Sequence, residues 1–135
     1  MTSEMIIHTD GGSRGNPGPA AIGVVIEQQG KVVASFGKQI GHTTNNVAEY
    51  TAVAEALKYL KNKKGFSSIH FFIDSNLVVQ QLNGTFKIKD GKLRDLAFSI
   101  KILEQEVGGV ITYTAVPREK NKQADLQVNQ ALDRL

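Results

Sequence analysis

The amino-acid sequence predicts an α/β fold, a mixed five-stranded sheet with helices on both of its faces. Near the start, three apolar, β-rich segments follow one another with glycine- or proline-containing turns between them. Further on, stretches of helical periodicity alternate with two short apolar runs. One of those runs, Ser68–Ile73, stops abruptly at Asp74, and open α/β sheets place ligands at the carboxyl ends of such strands.

Met5 to Asp10 reads as the first strand. Gly11-Gly12-Ser13-Arg14-Gly15-Asn16-Pro17-Gly18-Pro19 follows, where no regular element is expected to persist. Ala20–Glu27 and Lys31–Ile40 are the second and third strands, turning at Gln28-Gln29-Gly30 to complete an antiparallel meander. His42-Thr43-Thr44-Asn45-Asn46 is a polar link supplied with helix-capping residues. From Val47 to Lys61 the pattern is helical, with Ala52, Val53, Ala56, Leu57 and Leu60 on one stripe. Glu49 lies three residues before Ala52 and four before Val53, so it projects along the apolar stripe; a surface acid at the stripe's margin is the plainer alternative. Lys61-Asn62-Lys63-Lys64-Gly65 closes the helix with cations and a glycine.

In Ser68–Ile73 both alternating sets are largely apolar, which predicts a strand buried on both faces in the middle of the sheet. His8 and His70, inside strands, are expected as packed core residues. Asp74 either N-caps the short helix Ser75–Leu82 or belongs to a site. Asn83-Gly84 stops that helix, and Thr85-Phe86-Lys87-Ile88-Lys89 is a basic segment around an aromatic ring. Asp90 caps a longer helix with Leu93, Leu96, Ala97, Ile100 and Leu103 at helical spacing, broken by Gly108-Gly109. Val110–Val116 is the fifth strand and Pro117–Lys120 a polar loop. Asn121 opens the last helix, with Ala124, Val128, Ala131 and Leu135 inward and Asp125 in the first turn. The order is βββαβααβα.

At 135 residues the chain is expected to form a single domain, 1–135, with a core of its own. It has no cysteine, which excludes disulfide frameworks and thiolate metal sites. No apolar run is long enough to span a bilayer, and Met1-Thr2-Ser3-Glu4 lacks the pattern of a signal peptide, so a cytoplasmic setting is the expectation. The formal charge of +3 permits a polyanionic partner without demanding one, and nothing requires more than a monomer.

Asp10 and Asp74 end strands, Glu49 faces inward from a helix, and Asp125 sits at a helix start. If the first and fourth strands are adjacent and parallel, Asp10 and Asp74 meet at one end of the sheet. Clustered carboxylates without cations repel one another at a cost in stability, whereas Mg²⁺ or Mn²⁺ would remove that repulsion. Two such ions a few ångströms apart are a recurring device for phosphodiester attack.

The run Thr9-Asp10-Gly11-Gly12-Ser13-Arg14-Gly15-Asn16-Pro17-Gly18 resembles the opening motif of type 1 ribonuclease H. Thr44-Asn45-Asn46-Val47-Ala48-Glu49-Tyr50 is similar to the second motif of that family, Asp74-Ser75 to its third and Asn121-Lys122-Gln123-Ala124-Asp125 to its fourth. The likeness runs from about Met5 to Leu135. It implies a ribonuclease H-like fold and cleavage of the RNA strand of an RNA–DNA hybrid, leaving 3′-hydroxyl and 5′-phosphate ends. It further implies that Asp10, Glu49, Asp74 and Asp125 are catalytic and hold two Mg²⁺ ions, with Mn²⁺ as a substitute, and that Glu49 lies near the RNA 2′-hydroxyl. In the same way, Gly11, Gly12, Ser13 and Gly15 resemble backbone that approaches the sugar-phosphate chain. Asn16, Asn45 and Asn76 resemble minor-groove amides, and Thr44 and Asn46 the pair that grips a DNA-strand phosphate.

The resemblance is to short-loop bacterial and archaeal members, for the loop Val116-Pro117-Arg118-Glu119-Lys120 has Arg118 and no histidine. There is no basic insertion between the helices after Asp74 and no separate hybrid-binding domain in the sequence. Phe86, between the core and a role on a sugar-phosphate chain, stands with Lys87 and Lys89 as a candidate replacement. A non-catalytic hybrid-binding module, or the same chemistry on double-stranded RNA or RNA–DNA junctions, remains the alternative.

Overall fold

β1 (Glu4–Ser13) lies in the middle of a five-stranded sheet ordered β3-β2-β1-β4-β5 in the computed structural model, which describes residues 4–63 and 65–134. Around it are β2 (Gly18–Gln28), β3 (Lys31–Thr43), β4 (Ser68–Ile73) and β5 (Val110–Ala115). The helices are α1 (Asn45–Lys61), α2 (Asn76–Leu82), α3 (Gly91–Val107) and α4 (Lys122–Asp133), with a single 3-10 turn at Arg118–Lys120. The first three strands form the expected antiparallel meander, and β4 and β5 join in parallel. Met1-Thr2-Ser3, Lys64 and the inward Leu135 expected from the sequence lie outside the described residues.

α1, α2 and α3 each begin where a side-chain oxygen meets an unpaired backbone N–H, whereas α4 has no side-chain cap. Thr44 caps α1 by accepting from Val47 N at 3.2 Å, Ser75 caps α2 through Val78 N at 3.3 Å, and Asp90 caps α3 through Leu93 N at 3.0 Å. Ser75, not Asp74, is therefore the cap of α2, which leaves Asp74 free of that duty.

The sheet divides the apolar residues between two layers. Met5, Ile7, Ile22, Val24, Ile26, Ile69, Phe71 and Ile73 face α1, whose Val53, Leu57 and Leu60 are fully buried against them. Removing such a side chain from water contributes about 1.5–3 kcal/mol. α3 covers α1 in turn, through Leu93, Ile100 and Leu103. On the opposite face α4 lies across β1, β2 and β3, where Val128, Ala131 and Leu132 bury Ala21.

Five expectations need correction. The glycine-rich run does not end the sheet: β1 continues through Gly11, Gly12 and Ser13, paired with Ile22, Ala21 and Ala20. Only Gly15 of its first three glycines has a positive φ, so the others serve as extended backbone rather than as breakers. Likewise β3 extends through His42 and Thr43, paired with Pro19 and Gly18, so the link to α1 is Thr44 alone. β1, not β4, is the central strand. Finally, β4 is fully buried on one face only. α4 stops short of β4 and β5, so His70 and Phe72 are half-exposed. Neither histidine is a packed core residue: His8 stacks on Phe72 at 5.3 Å, and His70 Nδ1 hydrogen-bonds Thr112 Oγ1 at 2.7 Å. Burial outweighs the opposing charge of Glu27 and keeps the His8 pKa below its ordinary value.

α4 can come close to the sheet because Gly23 and Gly37, register partners in β2 and β3, have no side chains. A Cβ on Gly23 would sit 2.2 Å from the Ala124 carbonyl oxygen, and one on Gly37 2.4 Å from that of Gln127. Gly23→Ala must push the helix outward, and we expect it to lower stability by about 1–3 kcal/mol, read from the denaturant midpoint. Gly91→Ala, whose nearest neighbour is the Arg94 guanidinium at 3.9 Å, is the control and should change stability by less than about 1 kcal/mol.

Candidate active site

Parallel pairing of β1 with β4 in the register Thr9↔Ile73 brings the next residues, Asp10 and Asp74, side by side at one end of the sheet. α1 delivers Glu49 to the same place. A Cβ on Gly11 would lie 2.2 Å from the Ala48 carbonyl carbon, so only glycine admits the helix backbone here, and Gly11 N–H donates to Glu49 Oε1 at 2.9 Å. One carboxylate oxygen from each of Asp10, Glu49 and Asp74 lies within 4.8 Å of the others. Asp125, from the first turn of α4, faces Asp10 beside this group of three.

Asp10 and Glu49 are each only 7% exposed. Burial, then the charges of Asp74 and Asp125, push the Asp10 carboxyl up to about 8, against the single opposing hydrogen bond from Gly11. Burial and the charges of Asp10 and Asp74 likewise raise the Glu49 pKa well above the ordinary carboxylate range. Among the described residues no lysine or arginine is ion-paired with Asp10, Glu49 or Asp74. Converging hard oxygen donors that lack a cation of their own are a donor set fitted to a divalent metal ion.

These acids form the floor of an open cleft of about 510 Å³. Gly11, Gly12, Ser13, Asn45, Asn46 and Arg118 line its walls, so most of the residues expected from the sequence gather in one place. Gly15, Asn16, Thr44, Asn76 and Phe86 are outside that lining. Asn16 Oδ1 accepts from Asn45 N at 3.0 Å, while Asn45 Oδ1 accepts from Ser13 N and Oγ at 2.9 and 3.0 Å. The glycine-rich loop and the start of α1 are thereby tied into one wall. The Thr44 hydroxyl is engaged in capping, and Asn76 Oδ1 accepts from Gln80 Nε2 at 3.2 Å. Phe86 is 46% exposed and Ile88 packs on the core in its place.

Three further residues shape the site. Asn121, 1% exposed, donates from Nδ2 to the Thr9 carbonyl at 2.9 Å and so fixes the start of α4 one residue before Asp10. Its position ahead of a helix suggested only a start signal. Asn129 Nδ2 reaches Asp125 Oδ2 at 3.3 Å, an i,i+4 contact that helical spacing alone makes legible. Arg14 pairs with Asp133 at 2.6 Å across the cleft mouth, a contact between opposite ends of the chain that no local pattern announces.

The fold and this cluster define the class. Residues 8–131 match the family described as "Reverse transcriptase-like". The chain is 42% identical over 125 residues to ribonuclease HI of Halobacterium salinarum, covering 92% of this chain and 62% of that protein. It is 39% identical over 132 residues to a bifunctional protein of Mycobacterium tuberculosis, of which it spans 36%. The crystal structure of the H. salinarum RNase H1 superposes with a TM-score of 0.91 at 40% identity, covering 98% of this chain and 99% of that one. LC11-RNase H1, solved in complex with an RNA/DNA hybrid, gives a TM-score of 0.91 at 41% identity over 96% of this chain and 97% of that one. The chain belongs to the type 1 ribonuclease H family.

Because the folded pKa of Asp10 lies above its ordinary value, the neutral carboxyl favours the fold, fully below about pH 4 and progressively less as pH rises through 8. In chelator, therefore, thermal stability should fall between pH 5 and 8 with a steeper slope for the wild type than for Asp10→Asn. At pH 8 the variant should be the more stable, and Mg²⁺ should raise the wild-type Tm without raising that of the variant to the same degree.

Proposed function

We propose that this chain is an endonuclease that hydrolyses the RNA strand of RNA–DNA hybrids and leaves 3′-hydroxyl and 5′-phosphate ends. The observation that carries the reading is the trio of carboxylates, Asp10 and Glu49 buried and Asp74 half-buried, with oxygens within 4.8 Å of one another, at the floor of an open cleft. Support comes from the 41% identity to an RNase H1 solved with an RNA/DNA hybrid.

In this reading Asp10, Glu49 and Asp74 hold divalent cations, two Mg²⁺ ions in the expected arrangement, and Asp125 completes the set beside Asp10. When bound, the cations supply Lewis acidity at the scissile phosphate and neutralise the clustered negative charge. The chain's own groups do the rest. Gly11 N–H holds the Glu49 carboxylate in one orientation at 2.9 Å. Asn129 steadies Asp125 in the same manner at 3.3 Å. The Asn45 carbonyl oxygen is engaged by Ser13, so the Nδ2 donor is the arm that addresses a substrate. Minor-groove base edges present acceptors to such a donor, and 2′-hydroxyls distinguish the RNA strand there. Gly12 and Ser13, extended at the cleft wall, let the sugar-phosphate chain approach closely. The exposed Arg118 supplies the one guanidinium at the rim besides the paired Arg14 among the described lining residues.

Cleavage of an end-labelled RNA–DNA hybrid, run beside double-stranded RNA and double-stranded DNA, tests the reading. Metal-dependent cutting of the RNA strand is expected, abolished by chelator and reduced at least about 100-fold in Asp74→Asn while that variant's Tm stays close to wild type. Hybrid binding with no cutting in either Mg²⁺ or Mn²⁺ would make the chain a binding module instead. Equal cutting of double-stranded RNA would widen the substrate class. Arg118→Ala should weaken hybrid binding and reduce the slope of log K against log salt by about 1, the signature of one lost phosphate contact.

A further inference from the structure

Between α2 and α3 the chain runs through Thr85-Phe86-Lys87-Ile88-Lys89 without regular secondary structure. It is nonetheless held in place. The backbone N–H groups of Thr85 and Phe86 both donate to the Gln80 carbonyl, at 2.8 and 3.2 Å. Ile88 packs on the main core, whereas Phe86, Lys87 and Lys89 are exposed. The segment thus presents an aromatic ring and two ammonium groups outward from an anchored backbone.

One more contact reaches much deeper. Gln81 Nε2 donates to the Lys87 carbonyl at 3.3 Å, and Gln81 Oε1 accepts from the Tyr50 hydroxyl at 2.6 Å. Tyr50 is fully buried in α1 and directly follows Glu49. A carboxamide accepts on one side and donates on the other; a carboxylate or an ammonium supplies only half of that pair. The same helix that places Glu49 in the cleft is therefore joined, through a single side chain, to the basic segment.

We infer that Gln81 is a positioning residue whose carboxamide fixes where Phe86, Lys87 and Lys89 meet a hybrid leaving the cleft. The inference rests on the proposed hybrid-cleaving function. α2, of seven residues, spans about 10 Å and separates the segment by that length from Ser75 at the cleft edge. At that distance its side chains meet sugar and phosphate rather than the reacting group. Gln81 accordingly acts on binding and not on the chemical step.

Steady-state cleavage of a hybrid over a range of salt concentrations tests this with Q81L, Q81E, and each of them combined with K87A/K89A. Q81L should raise KM about fivefold with kcat little changed, the effect of about one net hydrogen bond. Its slope of log KM against log salt should fall toward that of K87A/K89A, which loses up to two phosphate contacts. Q81E keeps the acceptor for Tyr50 and loses the donor to Lys87, and it should show the same KM rise. Neither variant should add anything once the lysines are gone. A merely structural role would lower Tm and leave the salt slope unmoved. An unchanged KM and slope in folded Q81L, or an equal KM rise in the K87A/K89A background, would overturn the inference. Should Q81L not fold, Q81E and Tyr50→Phe decide the matter by the same two readouts. Wild type that cuts no hybrid removes the functional reading itself; wild type that cuts, with Q81L alike, removes the inference alone.

Discussion

The contact on which the site depends is the seating of α1 against β1 at Gly11. Without a side chain at that position, the helix backbone at Ala48 and Glu49 comes to a separation that any Cβ would forbid. The Gly11 N–H then meets the Glu49 carboxylate at 2.9 Å in a buried setting, where a charge-assisted bond is strong and an unsatisfied donor costly. The strand gives Asp10 and the helix gives Glu49, and this single contact fixes the two relative to each other.

A second close approach on the opposite face completes the arrangement. Gly23 and Gly37 admit α4, and Asn121 ties the start of that helix to the Thr9 carbonyl at 2.9 Å. Both layers are thus pressed onto the sheet at positions without side chains, and both converge on the end of β1. Asp125 comes from one layer, Glu49 from the other, and Asp10 and Asp74 from the sheet between them. Residues far apart in the chain meet with little slack, because backbone packed on backbone has no rotamers to relax. The stability of such packing offsets the burial of mutually repelling acids.

Much of this was legible in the sequence, and the failures have a common cause. Asp10 and Asp74 stood out because apolar runs ended in them, and Glu49 because it sat on an apolar stripe. Those are local signals. Gly11 and Gly12 were expected to interrupt a strand, since isolated glycines usually break regular structure. Gly11 serves to admit α1, which is a property of the tertiary contact, and Gly12 simply continues the strand. Ser68–Ile73 was expected to be buried on both faces because both of its alternating sets are largely apolar, yet α4 covers only β1 to β3. Which strands a helix of twelve residues covers depends on Gly23 and Gly37, which carry no pattern, and on the Asn121 contact to Thr9, which no local signal announces. Ile88, rather than Phe86, took the core position because Gln80 and Gln81 dictate the path of that segment.

The cleft's charge distribution argues for a division of labour between its floor and its rim. The floor holds acids, which in the absence of a cation repel a phosphate chain. Its walls carry neutral donors, Asn45 and Asn46 together with backbone N–H groups, and the cations stand at the periphery in Arg118, Lys87 and Lys89. Under the proposed function, a polyanion would be attracted at the edges, meet neutral hydrogen-bond donors along the walls, and reach the floor once divalent cations offset the charge there. With a formal charge of only +3 the chain has a weak overall field, so alignment must come from where the peripheral cations are held. That places weight on the segments that carry them. The Thr85–Lys89 segment is fastened by three hydrogen bonds to α2 and through Tyr50 to the helix of Glu49, so the cations of the rim and the geometry of the floor share one support.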